Sequence, residues 1–245
     1  MNGVEKGTLI GVGLGPGDPE LMTIKAVEAI RTSPVIAFFA KEGRRGNART
    51  IADRWIPPGS FELPLYYPVT TEIPVEDPDY AATLGGFYRS AAETLAGFLD
   101  EGRDVALLAE GDPLFYGSFM HLYIRLRPRF PTRVIPGVAG MMGCWSVAGE
   151  PMTWGDDVLT VLPGTLPEEE LVARLAGADA AVIMKIGRNF SKVRAALDRV
   201  GMLSRAIYVE RGTMPGETVM KLEDKTDGAA PYFSLVLVPG NGRRP

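Results

Sequence analysis

Two short apolar runs, Thr8 to Val12 and Val105 to Ala109, each end in a glycine-rich turn that carries the same tripeptide: Gly17-Asp18-Pro19 in the first and Gly111-Asp112-Pro113 in the second. Beyond each turn the chain is apolar at helical spacing, with Leu21, Ile24, Val27 and Ile30 after the first and Phe119, Leu122 and Leu126 after the second. A strand, a glycine turn and a helix, used twice, point to an α/β architecture built on parallel strands. Asp18 is expected to cap its helix by accepting a backbone N–H, and Pro19 suits the first helical position, where no donor is needed. The same capping accounts for Asp112 and Pro113.

The remaining segments extend the pattern. Val35 to Phe39 reads as a strand, and Lys41 to Pro78 as a loop-rich stretch with a short helix from Asn47 to Trp55 and an extended piece from Phe61 to Tyr67. Leu84, Phe87, Tyr88, Ala91, Leu95, Phe98 and Leu99 share one helical face, ended by Gly102. Two prolines within Arg127 to Pro131 read as a hinge, which divides the chain into domains at 1–128 and 129–245. In the second domain strands are predicted near Arg133–Ile135, Val158–Leu162, Ala180–Met184, Ala206–Glu210 and Tyr232–Val238, with helices near Val138–Val147, Glu168–Leu175 and Phe190–Val200. Gly216–Leu222 and Tyr232–Val238 have no helix between them and are expected to form an antiparallel hairpin. The fold class is thus two α/β domains, the first with a mainly parallel sheet and the second with a mixed one, and the cleft between them is the expected ligand site.

Composition narrows the chemistry. The 245 residues are 46% hydrophobic, enough to bury a sizeable core, and a net charge of −4 offers no overall basic field for nucleic acid. Cys144 is the single cysteine and His121 the single histidine, which leaves no intrachain disulfide and no Cys/His zinc cluster. No run reaches the ~18 apolar residues a membrane span requires, and the N-terminus lacks a signal-peptide pattern, so a cytoplasmic address is expected.

Gly11-Val12-Gly13-Leu14-Gly15-Pro16-Gly17 misses the dinucleotide fingerprint, because the third glycine falls on Pro16 and only Glu42, beyond the second strand, could hold a ribose. An NAD(P)-linked oxidoreductase therefore stays as a competing class. A phosphate-binding loop fails for want of a Gly-Lys-Ser/Thr sequence. Phe115, Tyr116 and Phe119 add aromatic surface after the second turn, able to stack on an adenine or attract a sulfonium cation, or simply to fill the core. A third turn, Ile135-Pro136-Gly137-Val138-Ala139-Gly140, again leads from a strand into a helix through small residues.

In order and spacing, four stretches together resemble the tetrapyrrole methylase family: Gly11 to Thr23, Ala109 to Phe119, Val134 to Gly140 and Val209 to Thr213. The resemblance covers nearly the whole chain. It implies a homodimer of two α/β domains that binds S-adenosylmethionine between them and releases S-adenosylhomocysteine. Carried over by motif, the cofactor contacts fall on Pro16, Glu110, Gly111, Asp112, Phe115, Ala139, Gly140, Met184 and Gly212; Ala139 and Gly140 stand where many members have Thr and Ala. Within the family, Gly46 to Ala52, Leu65 to Thr70 and Tyr116 to Leu122 look like the precorrin-2 C20-methyltransferases of cobalamin synthesis, which make precorrin-3A. Methylation of another ring position or of the cobalt-loaded intermediate, and a non-catalytic tetrapyrrole carrier, are the other readings.

The polycarboxylate precorrin-2 would need cations. Lys41, Arg44, Arg45 and Arg49 form the densest basic stretch and are the substrate-binding candidates, against the alternative of a solvated loop. A sulfonium methyl is already activated, so placement matters more than a strong base. His121, Glu110 and Tyr116 are the candidates for moving the proton that the acceptor carbon releases.

Overall fold

The structure is a computed structural model that describes residues 5–68, 78–228 and 230–242. Val69 and Thr70, the end of the Leu65 to Thr70 stretch, lie outside the described residues. The chain divides into two compact units, Met1–Ala139 and Gly140–Pro245.

The first unit contains β1 (Leu9–Gly13), α1 (Ile24–Thr32), β2 (Val35–Ala40), α2 (Asn47–Ile51), β3 (Phe61–Tyr66), α3 (Pro78–Asp100), β4 (Val105–Ala109), α4 (Phe119–Leu126) and β5 (Thr132–Ile135). Its strands form one parallel sheet in the order β3-β2-β4-β1-β5. Alternate side chains along each strand enter different cores. Leu9, Val35, Val105 and Leu107 pack with Leu95 and Leu99 of α3 and Phe119, Leu122 and Leu126 of α4. Ile10, Val12, Ile36 and Leu108 pack with Ala26 and Ile30 of α1 and Ala48 and Ile51 of α2. Helices on both faces explain why β1 and β4 are buried along their full length and read as unbroken apolar runs.

Two expectations are corrected by this unit. The stretch Arg127 to Pro131 is no hinge: Arg129 and Phe130 donate their N–H groups to the Leu126 carbonyl, Phe130 is buried in the core, and β5 pairs with β1. β5 falls within the unit Met1–Ala139. After β1, Asp18 accepts from Glu20 N at 2.8 Å as expected, but it caps only a 3-10 turn, Pro19–Leu21. The α-helix α1 starts later, under the Thr23 hydroxyl, which accepts from Ala26 N. That restart rotates the buried face onto Ala26, Ala29 and Ile30 and leaves Ile24 87% exposed.

The second unit contains α5 (Gly140–Ala148), β6 (Leu159–Pro163), α6 (Glu168–Leu175), β7 (Ala180–Met184), α7 (Phe190–Arg199), β8 (Ile207–Glu210), β9 (Thr218–Lys221) and β10 (Ser234–Val238). Its sheet order is β6-β7-β10-β8-β9, with β6 and β7 parallel and the other neighbouring pairs antiparallel. The mixed sheet is as expected, but the hairpin differs. β9 pairs with β8, and β10 inserts between β7 and β8, where both of its edges are hydrogen-bonded. A strand buried over all five residues, as β10 is, belongs in a sheet centre rather than at an edge. α6 and α7 cover one face and α5 the other.

Candidate active site

Because β4, β1 and β5 are parallel neighbours, the turns at their carboxyl ends meet along one edge of the first sheet, the usual place for ligands in open α/β sheets. Backbone hydrogen bonds stitch them together. Leu14 N donates to Ala109 O at 2.9 Å, Gly15 N to Gly111 O at 3.2 Å, and Gly111 N to Gly15 O at 2.8 Å. The Asp112 carboxylate accepts from Leu114 N at 2.9 Å with one oxygen and from Gly137 N at 3.1 Å with the other. It therefore joins the turn after β4 to the turn after β5. Helix capping, the role expected for Asp112, is not what it does, since α4 begins only at Phe119.

The glycines of these turns are accounted for by the protein itself. A Cβ on Gly137 would stand 2.2 Å from Gly111 O, and one on Gly13 would stand 2.4 Å from Gly137 N. Backbone packs on backbone there, which fixes the turns relative to one another. Gly212, after β8, is similarly occupied: a Cβ would stand 2.8 Å from the sulfur of Cys144 on α5. Burial pushes that thiol up to about 11, so Cys144 is a packing group. Gly140 differs, with open space where its Cβ would be.

Non-glycine residues with left-handed backbone are, among the described residues, Tyr116 (φ 55°), Lys185 (φ 55°), Arg211 (φ 50°) and Thr213 (φ 66°). Each lies beyond the carboxyl end of a strand, and each adjoins an expected cofactor contact: Tyr116 comes after Phe115, Lys185 after Met184, and Arg211 and Thr213 flank Gly212. Such conformations cost of order 1–3 kcal/mol apiece and concentrate at functional sites. The Phe115 and Tyr116 rings meet edge to face at 4.8 Å. Met184 O accepts from Gly164 N at 2.6 Å, which fixes the turn after β7.

Glu110, immediately beyond β4, is engaged with α2. Its carboxyl group accepts from the Asn47 side chain and from Ala48 N, while loss of water around it pushes its pKa up to about 7 against the opposing pull of those bonds. The basic stretch next to α2 divides in two. Arg49 is 8% exposed and paired with Glu62 through two guanidinium nitrogens and with Asp53 at 2.8 Å. Arg45 also pairs with Asp53, at 2.5 Å. These contacts hold α2 to β3 and to the turn after α2, and they engage the Arg49 guanidinium within the protein. Lys41 and Arg44 are exposed beyond the carboxyl end of β2 and so stand at the same sheet edge as Glu110.

His121 is exposed on the first turn of α4, its ring stacked on Tyr88 at 4.3 Å. Burial against that ring, then the Arg125 charge, hold its pKa below the usual imidazole value. Sequence reasoning missed what lies beside it: Tyr67 and Tyr88 both direct their hydroxyls at Ser118 Oγ, at 2.5 and 3.2 Å. Phe39 and Phe87 complete an aromatic cluster around Tyr67. The available signal was positional, since Tyr67 comes directly after β3 and Ser118 directly before α4, both at the edge of the sheet formed by the carboxyl ends of its strands. Tyr67 and Ser118 also belong to two of the three stretches singled out by resemblance, and the third, Gly46 to Ala52, is the one Glu110 holds.

Among the described residues no group of three metal-ligating side chains is present and no helix is long and apolar enough to cross a membrane. The family model described as Tetrapyrrole (Corrin/Porphyrin) Methylases matches residues 8–225. The sequence is 58% identical over 245 residues, all of both chains, to the precorrin-2 C(20)-methyltransferase of Sinorhizobium sp. It is 25% identical over 237 residues to the cobalt-precorrin-2 C(20)-methyltransferase of Salmonella typhimurium, covering 95% of this chain and 96% of that one. Among solved structures, the uroporphyrin-III C-methyl transferase from Thermus thermophilus complexed with S-adenyl homocysteine is similar in fold, with a TM-score of 0.67 over 95% of this chain and 97% of that one at 22% identity. With its motifs in register over nearly the full length and its turns joined at one sheet edge, the chain belongs to the tetrapyrrole (corrin/porphyrin) methylases.

Proposed function

We propose that the protein transfers a methyl group from S-adenosylmethionine to C20 of precorrin-2, giving precorrin-3A in cobalamin biosynthesis. The observation that carries this reading is the 58% identity along the whole of both chains to a precorrin-2 C(20)-methyltransferase. Identity of 25% to the relative named for the cobalt-loaded substrate favours the metal-free one. The methyl donor supplies an activated sulfonium carbon; the protein's task is placement, which alone lowers barriers by ~7 to 11 kcal/mol in favourable cases.

The proposed donor contacts are Pro16, Gly111, Asp112, Phe115, Ala139, Gly140, Met184 and Gly212, with Glu110 contributing through its main chain because its carboxyl group is engaged with α2. The open face at Gly140 and the left-handed residues beside Phe115, Met184 and Gly212 support this set. Asp112 holds two of the turns in place, and the edge-to-face rings of Phe115 and Tyr116 provide a surface for a flat or cationic group. Lys41 and Arg44 are proposed to meet the carboxylate arms of the macrocycle. A homodimer and a cytoplasmic address complete the proposal; a single cysteine suits a reducing compartment.

The test incubates purified protein with enzymatically made precorrin-2 and methyl-labelled S-adenosylmethionine and locates the label by NMR. Label at C20 is expected. Label at another carbon overturns the position, and no transfer to precorrin-2 overturns the function.

A further inference from the structure

The connection from β2 to β3 carries Lys41 and Arg44 and then turns into α2, a helix of five residues. So short a helix has little stability of its own. It begins at Gly46, which has no side chain to satisfy the first N–H groups. The missing cap comes from the residue just beyond β4, where the Glu110 carboxyl group accepts from Ala48 N and from the Asn47 side chain. Gly46 itself is wedged against β2, since a Cβ there would stand 2.6 Å from Phe39 O. From the far side, Arg49 anchors α2 to Glu62 on β3. Of these anchors, Glu110 is the one that continues directly into the Gly111-Asp112 turn at the centre of the sheet edge.

We propose that Glu110 is a positioning residue: by capping α2 from the end of β4, it sets where Lys41 and Arg44 stand to receive the carboxylate arms of the substrate. The inference rests on the proposed methyl transfer to precorrin-2 and adds a residue that acts on substrate affinity without touching substrate. Its carboxyl group faces α2, so the effect passes through the helix. What the cap requires is an acceptor oxygen rather than a negative charge, and the amide oxygen of glutamine supplies one.

The test compares Glu110→Ala, Glu110→Gln and Asn47→Ala with the wild type in three measurements: KM for precorrin-2, Kd for S-adenosylmethionine, and amide hydrogen exchange. Loss of a helix cap of typical strength corresponds to roughly tenfold in an equilibrium, so E110A is expected to raise KM by about that factor and to change the S-adenosylmethionine Kd by less. Exchange should quicken across residues 44–52 and stay slow in β1 and β4. E110Q should restore both KM and protection, and N47A should shift both in the E110A direction, by less. Unchanged KM and unchanged exchange in E110A would overturn the proposal. So would E110Q as impaired as E110A, since the acid itself would then be the active group, or an S-adenosylmethionine Kd weakened in E110A by as much as KM is raised. Should E110A fail to fold, N47A decides, and no change in it overturns the inference. A wild type that transfers no methyl to precorrin-2 refutes the proposed function, and the exchange measurements still decide the cap.

Discussion

Replacing Glu110 with glutamine also changes how stability depends on pH, and the direction is set by where the carboxyl group sits. Burial raises its pKa from an ordinary 4.5 to about 7 in the folded protein. Below pH 4.5 the group is protonated in both folded and unfolded chains, and it contributes no pH dependence. Between 4.5 and 7 the unfolded chain releases the proton while the folded chain keeps it, so stability falls as pH rises. Above 7 both states are ionised and the loss levels off. At about 1.4 kcal/mol per pH unit of displacement, the full loss is about 3 kcal/mol. Glutamine does not titrate and keeps an acceptor for Ala48 N. The difference in stability between E110Q and wild type should therefore shift in favour of the variant by up to about 3 kcal/mol from pH 4.5 to 8. Urea unfolding checks this in a Trp145→Phe, Trp154→Phe background, where Trp55 remains as the fluorophore of the first unit. A difference that stays flat across that range would mean that the carboxyl group ionises as it does in water, and the reasoning from burial would fail.

Other substitutions separate the roles of the remaining site residues. Asp112→Asn leaves one acceptor where Leu114 N and Gly137 N need two; a stability loss of about 1–3 kcal/mol and weaker S-adenosylmethionine binding by calorimetry are expected, and an unchanged variant would refute the bridging role. Arg49→Ala strands Glu62, which is partly in water, while Asp53 keeps Arg45, so it should cost about 1–2 kcal/mol rather than the larger loss of a fully buried pair. Arg44→Ala should instead leave the unfolding midpoint in place and raise KM for precorrin-2, and the reverse pattern would exchange the two assignments. His121→Ala removes a ring stacked on Tyr88 whose pKa is already lowered, so the pH profile of kcat should keep its shape; loss of a limb near neutrality would make His121 the proton carrier.

Elements whose apolar residues face a core on one period were legible from the chain alone. β4 spans Val105–Ala109 as expected, and Phe119, Leu122 and Leu126 are fully buried on α4. Periodicity reports burial, and burial is what those residues do. The α1 face was misjudged because Thr23 restarts the helix, and one residue of offset rotates a helical face by about a quarter turn. The basic stretch was visible as charge, yet its partition was not. Arg49 and Arg44 are the same residue type five positions apart, and only the arrival of Glu62 and Asp53 withdraws one of them from solvent.

Sequence by itself therefore determined the element types, the two α/β halves, the family and the turns at which a ligand is expected, because these depend on local spacing and on glycine and proline chemistry. Tertiary structure alone decided that β5 belongs to the first sheet, that β10 lies between β7 and β8, and that Glu110, Asp112 and Arg49 bind other parts of the chain. The physical reason is common to all of them. Strand order and polar partners are set by contacts between segments far apart in the chain, and a side chain's own sequence neighbourhood carries no record of what will stand opposite it.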